Sequence, residues 1–283
     1  MKITYVKNKD IDRDRYDHCL KKSFNANVFA YSWYLDTVCE DWDLLIEGKY
    51  ETLCPLPIKK WMGLTLVKQP PLVPYLGVYS TKHLTPEKVS LFLKAIPYNN
   101  IKLTLNHFNQ LNTSFRKTTK KIAALDLIAS YEKILDRYTP KGKKLLSQND
   151  GTFVMRSIRS DEYISFLRQI QGRKITYYTQ LSRIMNFALR YKSAGIYSVY
   201  SPRNELIGAI FLIKTNNRLY VIDCIENEEG KKRFAIFRAV NHILQTNCES
   251  NLTLEIPFNC ASLTPLISFD FHQCLNFKKS VLW

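Results

Sequence analysis

The sequence has few of the patterns that cross-link small domains or bind structural metals. Its seven cysteines are an odd number, and no two of them lie at Cys-x-x-Cys spacing. The five histidines are scattered, without a His-x-x-x-His pair. These absences argue against a disulfide framework and against a structural zinc site. We therefore expect neither disulfide bonds nor a bound metal ion.

Long apolar runs are also missing. The first residues, MKITYVKNKDIDRDRYD, are too polar for the apolar stretch of a signal peptide. The longest notable apolar stretch, Leu206–Ile213, contains Gly208 and is far shorter than the ~20 residues that span a bilayer. We therefore expect a cytoplasmic protein without a membrane span.

Positive charge is abundant: 41 Lys and Arg residues stand against 25 acidic residues, a formal net charge of +16. Such an excess favours an anionic partner, namely nucleic acid, a nucleotide cofactor or a membrane surface. The alternative is that the charge only keeps the protein soluble. Hydrophobic residues make up 46% of the chain, which supplies a core and excludes a disordered protein.

The order of predicted elements repeats in the two halves of the chain. The second half predicts strand, two helices, three strands, helix and strand, and the first half shows the same order. The second-half elements are Phe153–Ile158, Asp161–Ile170, Tyr178–Lys192, Ile196–Tyr200, Leu206–Ile213, Leu219–Ile225, Lys231–Gln245 and Leu252–Ile256. We expect the last two strands to pair in parallel through the helix between them.

The domain boundary is predicted within Tyr131–Gln148, a helical segment interrupted at Pro140-Lys-Gly142. The chain of 283 residues is long enough for two ordinary domains. The sequence therefore predicts two α/β domains with mixed sheets, covering residues 1–145 and 146–283.

The segment LYVIDCIENEEGKKRFAIFRAV is the sharpest local feature. A loop that leads into a helix exposes unpaired backbone N–H groups at the positive end of the helix dipole, and such a site binds phosphate. Gly230 permits an unusual backbone there, and Lys231, Lys232 and Arg233 add positive charge. The alternative is an ordinary turn with a solvated basic first helical turn.

This order of elements resembles that of the GNAT superfamily of acyl-CoA N-acyltransferases. Its occurrence in both halves of one chain resembles the Fem-type peptidyltransferases. The resemblance rests on the element order and on four stretches: YSWYLDTVCEDWDLLIEG, LCPLPIKKWMGLTLVKQPPLVPYLGVYS, LDLIASYEKILDRYTPKGKKLL and RLYVIDCIENEEGKKRFAIFRAVNHIL. It implies two tandem GNAT-like domains that transfer an acyl or aminoacyl group to an amine. The implied donor is acyl-CoA or aminoacyl-tRNA, and the implied acceptor is a small-molecule amine or a peptide.

The resemblance also implies a cofactor loop. GNAT enzymes hold the pyrophosphate of coenzyme A on Arg/Gln-x-x-Gly-x-Gly/Ala, and the corresponding stretch here is Lys231-Lys-Arg-Phe234-Ala235. Because Phe234 replaces a glycine that lets phosphate approach, we expect coenzyme A to bind weakly. The implied cofactor-binding residues are Glu229, Gly230, Lys231, Lys232, Arg233, Phe234 and Ala235.

General-base candidates lie on the two strands that are expected to diverge: Asp223, Glu226 and Glu255. A base beside the donor carbonyl would deprotonate an ammonium group and make it nucleophilic. Each carboxylate has an alternative role as a salt-bridge partner. Fem-type relatives commonly carry Leu-Asp-Phe-Glu-Gly-Ser at the second strand, whereas this chain has Leu254-Glu255-Ile-Pro257-Phe-Asn259, which retains one carboxylate. Cys224 lies on an apolar strand, and we expect it in the core.

Basic clusters at Arg116–Lys121 and Lys141–Lys144 lie near Phe115, Tyr131 and Tyr138. Cations beside aromatic rings bind RNA, because the cations contact phosphates and the rings stack on bases. Such a surface agrees with a tRNA-borne donor. The alternative is a solvated charged surface.

The stiff segment Gln69-Pro-Pro-Leu-Val-Pro-Tyr75 suggests a substrate pocket between the two halves, beside Trp33 and Tyr34. It is equally compatible with a packed connection. The second functional hypothesis is a non-catalytic GNAT-fold protein that binds RNA or another anionic ligand.

Overall fold

The computed structural model describes residues 2–111, 118–157, 159–215, 217–257 and 262–279. It divides the chain into two compact units. Unit 1 comprises Met1–Lys121 and His272–Trp283, and unit 2 comprises Ile122–Phe271. The segment from Ile122 to Phe271 packs within unit 2, and the C-terminal strand packs with unit 1. The predicted domain boundary at residue 145 stays a prediction. The mixed α/β fold class is confirmed.

Unit 1 begins with six strands and three helices. The strands are β1 (Ile3–Val6), β2 (Asp41–Glu47), β3 (Thr52–Trp61), β4 (Leu64–Lys68), β5 (Tyr79–Ser80) and β6 (Ile101–Leu105). The helices are α1 (Arg13–Lys22), α2 (Ser32–Val38) and α3 (Pro86–Lys94). Helix α3 starts with Thr85 as its cap, whose hydroxyl accepts from the Lys88 N–H, and with Pro86 in the first turn.

Among the described residues, unit 2 carries six α-helices and the next six strands, the first of which begins in unit 1. The strands are β7 (Thr118–Asp126), β8 (Phe153–Ser157), β9 (Ala194–Tyr200), β10 (Leu206–Lys214), β11 (Arg218–Glu226) and β12 (Thr253–Ile256). The helices are α4 (Tyr131–Ile134), α5 (Pro140–Ser147), α6 (Ser160–Ile170), α7 (Ile175–Arg190), α8 (Glu228–Lys232) and α9 (Ala235–Asn247). The last strand, β13 (Asp270–Lys279), returns to unit 1 and pairs antiparallel with β6.

Within each unit the strands pair in mixed orientation, and a single pair of neighbouring strands is parallel among the described residues. The order is β1-β2-β3-β4-β6-β13 in unit 1, where β4 and β6 run parallel and β5 adds to β3. It is β7-β12-β11-β10-β9-β8 in unit 2, where β11 and β12 run parallel. The predicted crossover through α9 is thereby confirmed.

Prolines in β3 lie where this strand has a partner on one side. Among the described strands, β3 pairs with β2 over Thr52–Ile58, whereas on its other side it pairs with β5 at Thr52 and Leu53 and with β4 from Ile58 onward. Pro55 and Pro57 fall in the gap between these two partners. A proline cannot donate a hydrogen bond to a neighbouring strand, so a locally open edge accommodates it.

Two helical predictions need correction. The segment 131–148 is interrupted before Pro140, not at it: Pro140 begins α5, and the Thr139 hydroxyl caps it by accepting from the Gly142 N–H at 3.2 Å. Proline fits the first turn of a helix because its missing N–H would be unpaired there. The predicted helix from Lys231 is divided into α8 and α9 by Phe234, whose φ of 56° is left-handed.

The core of unit 2 depends on α9. The apolar stripe of this helix is buried, and the helix contacts β9, β10 and β11. Its members are Ile236, Phe237, Val240, Ile243 and Leu244. No helix in the described part of the chain is long and apolar enough to cross a bilayer.

Gly230 allows α8 to approach β10 closely. The Asn227 side chain caps α8 by accepting from the Gly230 N–H at 2.8 Å, and the Asn227 N–H donates to the Ile207 carbonyl at 3.1 Å. A Cβ atom on Gly230 would lie 2.1 Å from that carbonyl oxygen. The start of the predicted cofactor loop therefore needs glycine for a steric reason.

We expect Gly230→Ala to lower the free energy of unfolding by about 3 kcal/mol, because backbone must move to admit the methyl group. Gly172→Ala is the matched control, since its Cβ would meet no atom within 4 Å. Urea unfolding of both variants measures the difference. Equal stability of the two variants would show that the close approach at Gly230 does not constrain the fold.

Candidate functional site

The parallel pairing of β11 with β12 is short. It joins Arg218 to Thr253, Leu219 to Leu254 and Tyr220 to Glu255. From Val221 to Glu226, β11 continues with β10 as its strand partner in the described part of the chain. The two strands therefore diverge after Tyr220, and within the described residues no third strand pairs with this half of β11.

A bulge interrupts β11 at the same place. Phe211 of β10 is opposite Asp223, whereas the next residue, Leu212, is opposite Val221. Ile222 is therefore an extra residue in β11. Bulges redirect neighbouring side chains and are frequent beside active sites. Here the residue that follows the bulge is Asp223, one of the predicted general bases.

The Asp223 carboxylate is bound by two tyrosine hydroxyl groups. Tyr163 of α6 donates to Oδ2 at 3.0 Å, and Tyr177 of α7 donates to Oδ1 at 3.1 Å. Tyr163 is almost completely buried. Each carboxylate oxygen therefore has a fixed donor, which holds the orientation of the group.

Burial raises the pKa of Asp223 to about 6, against hydrogen bonds from both tyrosines and the charge of Arg173, which act in the opposite direction. The pKa values of Tyr163 and Tyr177 are raised well above their ordinary value, first by burial and then by the adjacent Asp223. Both tyrosines therefore remain protonated donors at neutral pH. The arrangement provides a carboxylate that is ionised at pH 7 and more basic than an exposed one.

Arg173 lies in the loop between α6 and α7. Its backbone N–H donates to the Tyr178 hydroxyl at 2.8 Å, and that hydroxyl donates to the Gln171 carbonyl. The guanidinium carbon lies 5.4 Å from the centre of the Tyr177 ring. The residue itself is exposed. We call Asp223 with its two donors Tyr163 and Tyr177 the Asp223 cage. The loop thus places an accessible positive charge beside this cage.

Tyr163, Tyr177 and Arg173 were not among the residues predicted from the sequence. A usable signal was present in Gly172-Arg-Lys-Ile-Thr-Tyr177-Tyr178, where cations and tyrosines follow each other between two predicted helices. Tyr163 gives no such signal, because a tyrosine on the apolar side of a helix is usually a core residue.

The three predicted bases have different environments. Asp223 faces α6 and α7, whereas the Glu226 carboxylate accepts from the Ile236 N–H in the first turn of α9 at 3.4 Å. Side chains three positions apart on a strand point to opposite faces. Glu255 is fully buried on β12 and forms an ion pair with Arg218. The structure therefore does not bring these carboxylates together.

The cations of the predicted cofactor loop are paired with nearby acids. The Lys231 ammonium lies 2.5 Å from Glu228, and the Arg233 guanidinium lies 2.8 Å from Glu229 and 3.6 Å from Asp150. Lys232 is exposed. Much of the loop's positive charge is therefore neutralised within unit 2.

Phe234 and Glu226 occupy the start of α9. Phe234 adopts the left-handed conformation that favours glycine, and its ring packs against the core of unit 2. Ala235, the first residue of α9, is buried. A phosphate at this helix terminus would therefore meet an aromatic ring and the Glu226 carboxylate.

The space between the diverging strands and α9 is small. A cavity of about 20 Å³ lies there, lined by Ile210, Val221, Cys224, Ile236, Val240, Ile256, Ser262 and Leu263. That volume is about enough for one water molecule. Cys224 is half-buried and belongs to this apolar lining. Among the described residues, this cavity is too small to hold an acyl chain.

The predicted substrate-binding aromatics form a cluster inside unit 1. The ring centre of Phe29 lies 5.5 Å from that of Tyr34 and 5.4 Å from that of Tyr75, both edge-on. Trp33 contacts Tyr34 in the same way at 5.2 Å. The Tyr34 hydroxyl donates to the Leu72 carbonyl at 2.9 Å. These contacts are those of a packed core, and substrate binding by these residues stays a prediction.

Gln69 spans the point where β4 and β6 of unit 1 diverge. These strands pair in parallel at two positions only, ending at Lys68 opposite Lys102. The Gln69 side-chain amide then donates to the Val73 carbonyl at 2.8 Å and accepts from the Thr104 N–H at 2.7 Å. Its side chain replaces strand pairing, so the proline-rich segment fills the divergence in unit 1.

The basic clusters are only partly described. Lys141, Lys143 and Lys144 are exposed on α5, whereas Lys120 is partly buried, which lowers its pKa. The tyrosines expected to stack on bases, Tyr131 and Tyr138, both donate to the Asn241 side chain, at 2.7 and 2.8 Å. Phe115, Arg116, Lys117 and Asn259 lie outside the described residues.

Comparison with known proteins shows similarity in structure alone. No family model and no curated protein match the sequence. FemX superposes with a TM-score of 0.56 at 10% identity, over 90% of this chain and 88% of FemX. A tandem GNAT protein from the clavulanic acid biosynthesis pathway gives 0.52 at 12% identity, over 98% of both chains.

The structure of L-PGS from Bacillus licheniformis gives a TM-score of 0.54 at 11% identity, over 97% of this chain and 93% of the other. These matches span nearly the whole chain, so they include both predicted halves. The chain therefore has the tandem GNAT fold, as the sequence predicted.

Proposed function

We propose that this chain is an N-acyltransferase or aminoacyltransferase of the GNAT/Fem-like type, with Asp223 as the general base that activates an acceptor amine. One observation carries the proposal. At the divergence of β11 and β12, Asp223 is held by Tyr163 and Tyr177, and burial raises its pKa to about 6. Strongly perturbed carboxylates of this kind concentrate at functional sites. A cytoplasmic location accompanies the proposal.

The chemistry begins with an acceptor ammonium group beside Asp223. The carboxylate takes one proton from nitrogen, and the freed lone pair attacks the donor carbonyl carbon. Collapse of the tetrahedral species breaks the bond to the leaving oxygen or sulfur, which takes up the second proton that the nitrogen loses as the amide forms. Asp223 then releases its own proton to water. A base with a pKa near 6 is largely ionised at pH 7 while retaining useful basicity. The two tyrosines hold its geometry.

Arg173 supports an acceptor that carries an anionic group. Its guanidinium is exposed beside Tyr177, close enough to Asp223 to lower the pKa of that carboxyl. A guanidinium binds a carboxylate or phosphate through paired N–H groups. A small amine or peptide with a carboxylate would then be fixed at one end by Arg173 while its amine reaches Asp223.

The start of α9 supports a donor other than coenzyme A. Phe234 and the Glu226 carboxylate lie where a pyrophosphate would bind. The arginine of the loop, Arg233, forms ion pairs with Glu229 and Asp150. An aminoacyl ester carried on tRNA needs no pyrophosphate site. The exposed lysines of α5 supply charge for such a polyanion. We therefore favour an aminoacyl donor over acyl-CoA.

The second candidate is a non-catalytic protein with the same fold. The cavity of about 20 Å³ behind β11 favours it, because no acyl group fits there without movement of side chains. In that case the Asp223 cage would recognise the cation of a ligand without transferring a group. Product formation separates the two candidates.

We expect Asp223→Asn to reduce turnover by about 10²- to 10⁴-fold, because the amide cannot accept the ammonium proton. The protein is incubated with aminoacyl-tRNA or acetyl-CoA and a panel of amines, and products are identified by mass spectrometry. Wild-type turnover should rise with pH through a midpoint of about 6, set by the Asp223 pKa.

The exposed Asp14 provides the control, and Asp14→Asn should behave as wild type. Wild-type turnover by Asp223→Asn would exclude Asp223 as the base. If no donor gives a product with the wild-type protein, the non-catalytic candidate is the one to retain.

We expect acetyl-CoA to bind weakly or not at all in calorimetry, because Phe234 and Glu226 obstruct the start of α9. The double variant Phe234→Gly with Glu226→Gln removes both obstacles and should tighten binding. A wild-type Kd in the low micromolar range, roughly −8 kcal/mol, would contradict this expectation. Unchanged binding by the double variant would assign the weakness to another part of the molecule.

A further inference from the structure

The hairpin between β3 and β4 exposes three apolar side chains at its tip. Trp61 is 50% exposed, Met62 is 81% exposed and Leu64 is 39% exposed. Met62 and Gly63 form the turn with φ values of 47° and 76°. Positive φ is uncommon for methionine, so the turn holds a large apolar side chain in solvent at a conformational cost.

Lysines continue the same face of the unit 1 sheet behind this tip. Side chains alternate along a strand, and Ile58, Val67, Ile101 and Phe277 point into the core of unit 1. Their neighbours on four adjacent strands point the other way and are exposed: Lys59, Lys68, Lys102 and Lys278. We call these four residues the lysine face.

The register of the sheet places like charges directly opposite each other. Lys68 is opposite Lys102, and Lys102 is opposite Lys278. Like charges at such positions destabilise a sheet. Lys59 has Glu40 at 3.7 Å, whereas the other three lysines form no ion pair with a carboxylate within the described ranges. The arrangement is unfavourable for the isolated protein and favourable once an anionic surface covers it.

The lysine face also borders a concavity of about 500 Å³, whose lining includes the four lysines together with Trp61, Leu66 and Asn100. No aspartate or glutamate contributes to that lining. The surface therefore combines apolar groups at a protruding edge with a lysine face in which three of the four lysines form no ion pair with a carboxylate of the described residues.

We propose that the lysine face and the Trp61–Leu64 hairpin tip dock unit 1 on the surface of an anionic lipid bilayer. Lys59 is two residues from Trp61, about 7 Å along the strand. Apolar groups of interfacial segments enter about 5–10 Å into the headgroup region, where tryptophan is enriched. The lysines then lie level with the lipid phosphates, which neutralise the opposed charges of neighbouring strands.

The tip composition favours a bilayer over single-stranded RNA. RNA-binding surfaces combine cations with aromatic platforms on which bases stack. Trp61 could serve as one platform, but Met62 and Leu64 have no π-face and are the other exposed groups of the tip. Aliphatic side chains at a protruding turn gain most from an apolar medium.

The test is sedimentation of the full-length protein with vesicles of phosphatidylcholine, with and without phosphatidylglycerol. The wild-type protein should bind the anionic vesicles far more tightly than the neutral ones. The triple variant Lys68→Gln, Lys102→Gln, Lys278→Gln should lose about 100-fold in partitioning, since each lysine near an anionic surface contributes about fivefold. Trp61→Ser with Met62→Ser should weaken binding at every salt concentration.

The matched control is the triple variant Lys9→Gln, Lys21→Gln, Lys22→Gln, which removes the same charge from exposed positions elsewhere in unit 1. It should retain most of the binding. Removing opposed like charges relieves repulsion, so the first triple variant should unfold at or above the wild-type temperature, and unfolding cannot explain its loss of binding.

Failure of the wild-type protein to bind anionic vesicles at low salt would overturn the proposal. Equal losses in the two triple variants would also overturn it, because the effect would then be one of net charge. The same protein is tested with a single-stranded RNA oligonucleotide. RNA binding that depends on the lysine face, without vesicle binding, would assign this surface to RNA instead.

Discussion

The end of strand pairing after Tyr220 and Glu255 is the constraint on which the candidate site depends. While β11 and β12 pair, their backbone groups are used within the sheet. Once they diverge, the rest of β11 has β10 as its strand partner among the described residues, and the bulge at Ile222 brings Asp223 to this point between Tyr163 and Tyr177. In unit 1 the equivalent divergence of β4 and β6 is filled by Gln69, whose amide bonds replace the missing pairs.

The buried Asp223 carboxylate lowers the free energy of unfolding when it is ionised. Its pKa rises from the ordinary 3.8 to about 6, first because of burial, so the folded chain binds the proton more tightly than the unfolded chain. The free energy of unfolding therefore falls as the pH rises from about 4 through 6, by roughly 3 kcal/mol for this group. Asparagine would avoid that penalty. A general base at this position must keep its carboxylate despite that penalty, and no ion pair within the described residues gives the carboxylate another role.

The sequence predicted what periodicity and topology determine. The parallel crossover through α9 follows from the topology of a strand, a helix and a strand, and the tandem GNAT fold followed from the element order. The site was predictable only in part, because Asp223 was one of three candidate carboxylates. Its partners Tyr163 and Tyr177 come from two helices 46 to 60 positions away in the chain, and no local pattern encodes such a contact. The strand exchange through β13 and the left-handed Phe234 likewise depend on tertiary packing.

Direct titration of the Asp223 side-chain carboxyl by carbon-13 NMR tests the central claim, that the fold makes this group a base. Comparison with Asp223→Asn assigns the resonance. A midpoint of about 6 is predicted from burial among the tyrosines. Replacement of one donor, in Tyr177→Phe, should raise the midpoint further because the ionised form loses a hydrogen bond. A midpoint near the ordinary 3.8, unmoved by Tyr177→Phe, would contradict the account.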